Sequence, residues 1–328
     1  MPSMSSPAPD ARRVGRTAAL GVAAGLRLLP APRGDGRTGA NWRVLADAAA
    51  VDLSAARLAE AHLDAATIAV ELGAEPAVPG SLWGVWAAES TGTSLRAGAR
   101  AGRWCLQGTK PWCSGARLCT HALVTAHADD GLRLFAVDLG GEAVRPQDSD
   151  WTGTGMAATD TAPVVFEDAP ATPVGGAGDY LGRPGFWHGA IGVSAAWFGG
   201  AVGALAPLLR RAADCRLDPH AAAHLGAADA ALTAARAVLH DAADAVDPEP
   251  AETLDDARRR ALRARAVVET AVETVLRGVG RATGPGPLAH DADHARHVAD
   301  LQVYVRQSHA ERDLAALGEL AATQPMRW

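Results

Sequence analysis

The sequence is poor in lysine, cysteine and tyrosine. Lys110 is the one lysine among 31 basic residues, and the formal net charge is −6. No basic run alternates with aromatic residues, so nucleic acid is not expected as a partner. The four cysteines, Cys105, Cys113, Cys119 and Cys215, form no C-x-x-C pair. This predicts reduced thiols in a cytoplasmic protein, with neither a disulfide scaffold nor a metal site.

A P-loop of the G-x-x-x-x-G-K-[ST] kind and internal repeats are also lacking. Residues 12–29 begin like an export signal, but Arg27 interrupts the apolar run, which favours an amphipathic helix over residues 16–29. Residues 184–209 carry no Asp, Glu, Lys or Arg and are long enough to span a bilayer. Their six glycines and His188 favour a buried helix instead, so no membrane span is expected.

The remaining sequence divides into three regions that differ in their pattern of apolar residues. Leu53, Leu58 and Leu63 lie on one apolar face of a helix predicted over residues 42–73. Short apolar runs between turn residues predict an antiparallel β-domain, with a hairpin in "ADDGLRLFAV". Four long helices are predicted after it, at about 186–212, 219–246, 252–279 and 292–320. The expected fold is α+β, with N-terminal helices (1–79), a barrel-like β-domain (80–175) and a C-terminal four-helix bundle (176–328).

Residues 86–126 carry a family resemblance. The stretch "WAAESTGTSLRAGARAGRWCLQGTKPWCSGARLCTHALVTA" is similar to the middle domain of the acyl-CoA dehydrogenases, and a weaker likeness extends over about residues 80–310. The resemblance implies noncovalent FAD, a small acyl thioester substrate, and a homodimer or homotetramer formed through the bundle. An electron-transfer protein or a homologous chain is a further partner that it implies.

The same resemblance assigns a set of flavin-binding residues. It implies that Trp112 lies against the flavin ring and that Ser114 offers its hydroxyl to the ring; residues two apart on a strand share a face. The other implied cofactor residues are Trp86, Ala88, Ser94, Arg216 and Gly284. For Trp112 with Ser114, the alternative is a core tryptophan beside a surface serine. For Arg216 it is an exposed arginine, and for Gly284 it is a plain helix–helix turn. We interpret Lys110 as structural, with its stem covering apolar surface.

The catalytic base of the family has no counterpart at its usual place. The resemblance puts Ser308 at the position of that glutamate, and residues 186–209 contain no carboxylate. Glu311 follows one helical turn later and is the predicted base. His309 is the alternative, because "RQSHAERDLAALG" loosely resembles flavin monooxygenases that share the fold. His188 is a third candidate, and a surface or helix-pairing role is possible for each of the three.

Three functions therefore stay open. The first is an FAD-dependent oxidoreductase of the acyl-CoA dehydrogenase type. The second is a flavin-dependent monooxygenase or oxidase on the same fold. The third is a non-catalytic partner subunit, which the missing glutamate and the short segment before the β-domain suggest.

Overall fold

The structure is a computed structural model that describes residue 21 and residues 37–323, except for 76–79, 91, 93, 101, 216 and 248–251. The helix predicted over 16–29, apart from residue 21, and the predicted cofactor residue Arg216 lie outside the described residues.

Two helices precede the β-domain, α1 (Thr38–Val51) and α2 (Leu53–Glu71). The sequence predicted a single helix over residues 42–73, and this was wrong at Asp52. The backbone of Asp52 is extended, and its carboxylate accepts a hydrogen bond from the backbone N–H of Ala55 at 2.9 Å. A side-chain cap of this kind ends one helix and begins the next.

The β-domain is a closed barrel. Its strands are β1 (Trp83–Trp86), β2 (Leu95–Arg100), β3 (Arg103–Cys113), β4 (His121–Ala128), β5 (Gly131–Asp138), β6 (Val144–Pro146) and β7 (Ala162–Val174). Pairing runs from β4 through β2, β3, β7 and β5 back to β4, with β1 beside β4 and β6 beside β7. The hairpin predicted at Asp130–Gly131 is confirmed, since it joins β4 to β5.

The antiparallel prediction fails at two strand pairs. Strand β4 runs parallel to β1 along four residue pairs and parallel to β2 at one. Parallel neighbours need a crossover connection, and the β2–β3 segment forms the one between β1 and β4. A sequence pattern of alternating short runs does not specify the direction of each pair.

The C-terminal half is helical. It contains α3 (Asp179–Gly182), α4 (Pro184–Ala204), α5 (Ala206–Ala213), α6 (Pro219–Val246), α7 (Leu254–Thr283), α8 (Gly286–His290), α9 (Ala292–Tyr304) and α10 (Glu311–Thr323). The single helix predicted over 292–320 is broken by a 3₁₀ turn at Val305–Gln307 and by Ala310, whose φ is 44°. The predicted one-turn spacing of Ser308 and Glu311 on a continuous helix was therefore wrong.

The N-terminal helices and the bundle share one hydrophobic core. Trp42 and Leu45 of α1 belong to the same buried cluster as Trp197 of α4 and Val268 of α7. The barrel encloses a second cluster, which includes Trp86, Phe135 and Phe166. The molecule thus has a helical layer and a barrel, with the candidate site where they meet.

The segment Pro184–Ala213 is long and apolar enough to cross a membrane, but 72% of its most apolar window is buried inside the protein. Helix α1 covers it closely, because a Cβ at Gly199 or Gly203 would collide with the carbonyl oxygens of Ala46 and Ala50. The chain therefore buries this helix by itself. The homo-oligomer stays a prediction, but exposure of α4 no longer supports it.

Candidate functional site

A cleft of about 1000 Å³ lies between the barrel and the helical layer. It brings together predicted residues that are far apart in the sequence, because Ala88, Trp112 and Ser114 from the barrel line it together with His309. Helix α2 forms another part of its lining with Asp64 and its neighbours.

Trp112 reaches the cleft through an irregularity in β3. The pairing of β3 with β7 shifts between Lys110 and Cys113, and Trp112 has a φ of 58°. A bulge of this kind re-aims a side chain, and the left-handed conformation costs about 1–3 kcal/mol for a residue other than glycine. The indole is 57% exposed and contacts Trp151 edge-on, with ring centres 6.1 Å apart. A strained, exposed tryptophan inside a concave surface is typical of a ligand-binding wall.

The hydroxyl of Ser114 belongs to a chain of three hydroxyl groups at the cleft. Ser114 Oγ is 3.1 Å from Thr161 Oγ1, which is 2.8 Å from Thr159 Oγ1. Thr159 donates its own proton to the carbonyl oxygen of Met156 at 2.7 Å. Each hydroxyl has one proton, so Thr161 must donate to Thr159 and Ser114 to Thr161. The remaining hydrogen-bonding capacity of Ser114 is therefore that of an acceptor.

Three other predicted cofactor residues lie outside the lining of the cleft. Trp86 is buried in the barrel core, where its indole N–H donates to the carbonyl oxygen of Ser114 at 2.9 Å. It thus holds the Ser114 backbone in place. Ser94 is exposed before β2, and Gly284 ends α7 with a φ of 68°. A flavin role for these residues stays a prediction.

His309 and Glu311, the two predicted catalytic residues, are placed differently. Glu311 is exposed in the first turn of α10, away from the lining, whereas His309 lines the cleft. The carboxylate that α10 contributes to the cleft is Asp313, whose Oδ1 lies 3.3 Å from His309 Nδ1. Asp313 Oδ2 also accepts the backbone N–H of His309 at 3.2 Å. His188, the third candidate, is buried elsewhere beside Glu252 at 2.8 Å.

Helix α2 contributes charged residues that the sequence reasoning missed. Arg57, Glu60 and Asp64 lie on one helix face, at spacings of three and four residues, and all three line the cleft. Arg57 and Glu60 pair at 2.6 Å. Charges at helical spacing within a helix of alanine and leucine were the available sequence signal, because a buried face rarely carries unpaired charge.

Asp64 is half-buried and makes no hydrogen bond or ion pair with any described residue. Burial raises the pKa of its carboxyl to about 7, since desolvation and the nearby charges of Glu60 and Glu71 outweigh the attraction of Arg183 and Arg57. Its carboxylate packs against Gly189 of α4, where a Cβ would lie 2.8 Å from Oδ1. An unpaired carboxyl that titrates near neutral pH in a cleft is suited to acid–base chemistry.

Tyr304 presents an unsatisfied polar atom. Its side chain lines the cleft and is 1% exposed, and its hydroxyl has no hydrogen-bond partner among the described residues. Burial raises the pKa of this phenol, so it stays neutral. A buried hydroxyl without a partner is unfavourable by about 1–3 kcal/mol, which a bound ligand could offset.

Lys110 has a structural role of a different kind from the one predicted. Its ammonium is buried inside the barrel, where Nζ donates to Glu89 Oε1 at 2.6 Å and to Thr125 Oγ1 at 2.8 Å. The interpretation of a stem lying over apolar surface was wrong, because the charged end itself is enclosed and paired. Lys110 therefore forms a structural ion pair with Glu89, two residues before the strained Trp112.

Known proteins share this architecture. The acyl-CoA dehydrogenase middle-domain family matches residues 84–169, which span most of the barrel. Among curated proteins, no match to this chain was found.

Several solved structures are similar over nearly their full length. Methanesulfinate monooxygenase MsuC from Pseudomonas fluorescens has a TM-score of 0.76 at 19% identity, with 99% of each chain covered. Dibenzothiophene monooxygenase TdsC from Paenibacillus sp. A11-2 has a TM-score of 0.73 at 17% identity, with 97% of this chain and 98% of that chain covered. KijD3, in complex with FMN and a dTDP-linked sugar, has a TM-score of 0.73 at 19% identity, with 98% of this chain and 96% of that chain covered.

Identities this low establish a common fold and leave the chemistry open. The closed barrel, the helical layer around it and the family match agree with one another. The barrel of this protein therefore belongs to the acyl-CoA dehydrogenase middle-domain family, and the chain as a whole has the acyl-CoA dehydrogenase-like fold.

Proposed function

We propose that the protein is a flavin-dependent oxidoreductase of the monooxygenase or oxidase type, acting on a small molecule in this cleft. The observation that carries the proposal is the meeting of Trp112 and Ser114 with the His309–Asp313 pair in one concavity. The bound flavin would supply two-electron chemistry and reaction with oxygen.

The residues present fit a flavin ring. The exposed indole of Trp112 offers a flat apolar wall, and Ser114 offers a hydrogen-bond acceptor whose direction is fixed by Thr161. An acceptor suits an N–H group, which the central ring of a flavin carries when it is reduced. The cleft is large enough for a ring system and a small substrate together.

FMN is the preferred cofactor of this proposal. KijD3 and TdsC, which share the fold, were both solved with FMN. The FAD of the sequence prediction is the alternative, and Arg216, one of its predicted ligands, lies outside the described residues. FAD carries an adenylate half that FMN lacks, so a direct binding comparison separates the two cofactors.

The chain's own acid–base groups would act as follows. Asp313 favours the His309 tautomer with its proton on Nδ1, which leaves Nε2 available to accept a proton. Asp64 can take a proton from a substrate when ionised and return it when protonated, because its pKa lies near neutral pH. Trp112 and Trp151 would exclude water from one side of the ligand.

Dehydrogenation of an acyl thioester is the second candidate. It is favoured by the middle-domain match and by Asp64, a free carboxyl that could serve as base from α2 instead of from the last helix. It is disfavoured by the placement of Glu311 outside the cleft and by the engagement of Asp313 with His309.

Flavin binding and reactivity test both candidates. We expect purified protein to bind FMN with micromolar or better affinity, measured by visible absorbance and flavin fluorescence, and FAD more weakly. Trp112→Ala should weaken FMN binding at least tenfold. The matched control is Trp83→Phe, because Trp83 stacks on His121 with ring centres 4.7 Å apart and does not line the cleft.

The reaction of the bound flavin then separates the two chemistries. Oxygen uptake by the reduced flavin–protein complex supports the monooxygenase or oxidase, whereas anaerobic bleaching of the flavin by an acyl thioester supports the dehydrogenase. A protein that takes up neither FMN nor FAD refutes both.

A further inference from the structure

The charges that line the cleft do not cancel. Among the described residues, five arginines face three carboxylates there, although the whole chain has a net charge of −6. The arginines are Arg57, Arg258, Arg265, Arg306 and Arg312, and the carboxylates are Glu60, Asp64 and Asp313. The cleft is therefore a basic concavity in an acidic protein, which attracts anions.

Three of these arginines are already engaged by other groups. The contacts are Arg57 with Glu60 at 2.6 Å, Arg306 with Glu273 at 2.9 Å, and Arg265 with the carbonyl oxygens of Ala190 and Gln307 at 3.0 Å each. Arg265 also stacks on Trp197, with its guanidinium 4.5 Å from the ring centre. Arg265 and Arg306 thus connect neighbouring elements, whereas Arg57 is paired within α2.

Arg258 has no partner of this kind. It is half-buried, makes no hydrogen bond or ion pair with any described residue, and its buried Nε is unsatisfied. Its guanidinium lies 5.8 Å from the ring centre of Trp187, which also lines the cleft. The two arginines that follow it in the sequence are paired, Arg259 with Asp256 at 2.5 Å and Arg260 with Glu252 at 3.3 Å.

A half-buried guanidinium with an unsatisfied N–H is unfavourable unless a ligand completes it. An oxyanion does so well, because carboxylate, sulfonate and phosphate groups match the planar donor fork of arginine. Arg312 adds positive charge, since it is exposed on α10, lines the same cleft and makes no ion pair with the described residues.

We propose that the substrate of this cleft carries an oxyanionic group, a carboxylate, sulfonate or similar, which Arg258 binds while Arg312 strengthens the attraction. This inference rests on the proposed function and adds to it the chemical class of the substrate. The phosphate of FMN is the other oxyanion that could occupy Arg258, and the experiment must separate the two.

Small anions test the proposal without knowledge of the substrate. Acetate, methanesulfonate and inorganic phosphate are titrated into the protein at constant ionic strength, with acetamide as the neutral analogue of acetate. Dissociation constants are measured by isothermal titration calorimetry on the flavin-free and the riboflavin-loaded protein, because riboflavin has no phosphate. We expect the anions to bind and acetamide not to bind.

Three variants assign the binding to Arg258. Arg258→Gln should weaken acetate and methanesulfonate binding at least tenfold, and Arg258→Lys should weaken it less, because it keeps the charge but loses the fork. Arg277→Gln is the matched control, since Arg277 is exposed on the same helix, about 28 Å farther along its axis. Circular dichroism of each variant checks that the fold is retained.

Two results would overturn the proposal. One is anion binding by Arg258→Gln equal to that of the unmodified protein. The other is a loss of FMN affinity in Arg258→Gln with riboflavin affinity unchanged, which would assign Arg258 to the flavin phosphate. Failure of the flavin proposal looks different, because the protein would then bind no flavin and still bind the small anions.

Discussion

Replacement of Asp64 by asparagine should remove a pH-dependent penalty on folding. The carboxyl of Asp64 has its pKa raised by burial from 3.8 to about 7, so the folded state holds a proton that the unfolded state releases. Stability of the unmodified protein therefore falls as pH rises between these two values, and the loss is complete above pH 7. Asparagine keeps the shape of the side chain and has no such loss.

The magnitude follows from the two pKa values. Between pH 5 and pH 8 this group alone should reduce the free energy of unfolding by about 2.5 kcal/mol, taken as an upper limit because the side chain is partly exposed. An unfolding entropy of about 2.1 cal/mol/K per residue converts that figure to ~4 °C for a chain of 328 residues.

Thermal unfolding of the flavin-free protein, followed by circular dichroism, measures this effect. The gain in Tm of Asp64→Asn over the unmodified protein should grow by up to ~4 °C from pH 5 to pH 8. Glu319→Gln, an exposed change on α10, should show a constant difference. If the Tm curves of Asp64→Asn and the unmodified protein run parallel over this range, Asp64 titrates normally and is not a candidate acid–base residue.

Three further predictions follow from the contacts of the cleft and the barrel. Thr161→Val frees the Ser114 hydroxyl to donate, so the midpoint potential of bound FMN should fall by roughly 10–30 mV, equivalent to one hydrogen bond; an unchanged potential in a redox titration would contradict the acceptor assignment. His309→Gln should slow the reaction of the reduced flavin complex with oxygen, and Glu311→Gln should not, because of the two only His309 lines the cleft. Stopped-flow absorbance measures both rates, and a slower reaction in Glu311→Gln alone would make Glu311 the catalytic residue. Glu89→Gln should destabilise the protein by about 2 kcal/mol, and by more than Lys110→Met, because it leaves a buried ammonium without its counter-charge; equal Tm values for the two variants would argue against a charged Lys110.

The sequence alone determined the fold class and one wall of the cleft. Short apolar runs between turn residues and long Ala/Leu-rich segments are local patterns, so they specify strands and helices without knowledge of distant contacts. The stretch around Trp112 and Ser114 was also identifiable, because its family resemblance lies within one continuous segment. His309 was named from the loose monooxygenase resemblance of the segment that contains it, although the helix predicted there is broken in the structure.

Only the tertiary structure decided which charges face the cleft. Asp64 and Arg258 come from helices almost two hundred residues apart in the chain, and nothing local to either marks it as unpaired. Burial, the distance to an opposite charge and the presence of a partner are properties of the packed molecule. The same reason explains Lys110, whose sequence context fits a surface lysine equally well. Its enclosure depends on Glu89 and Thr125, which are brought to it by the closing of the barrel.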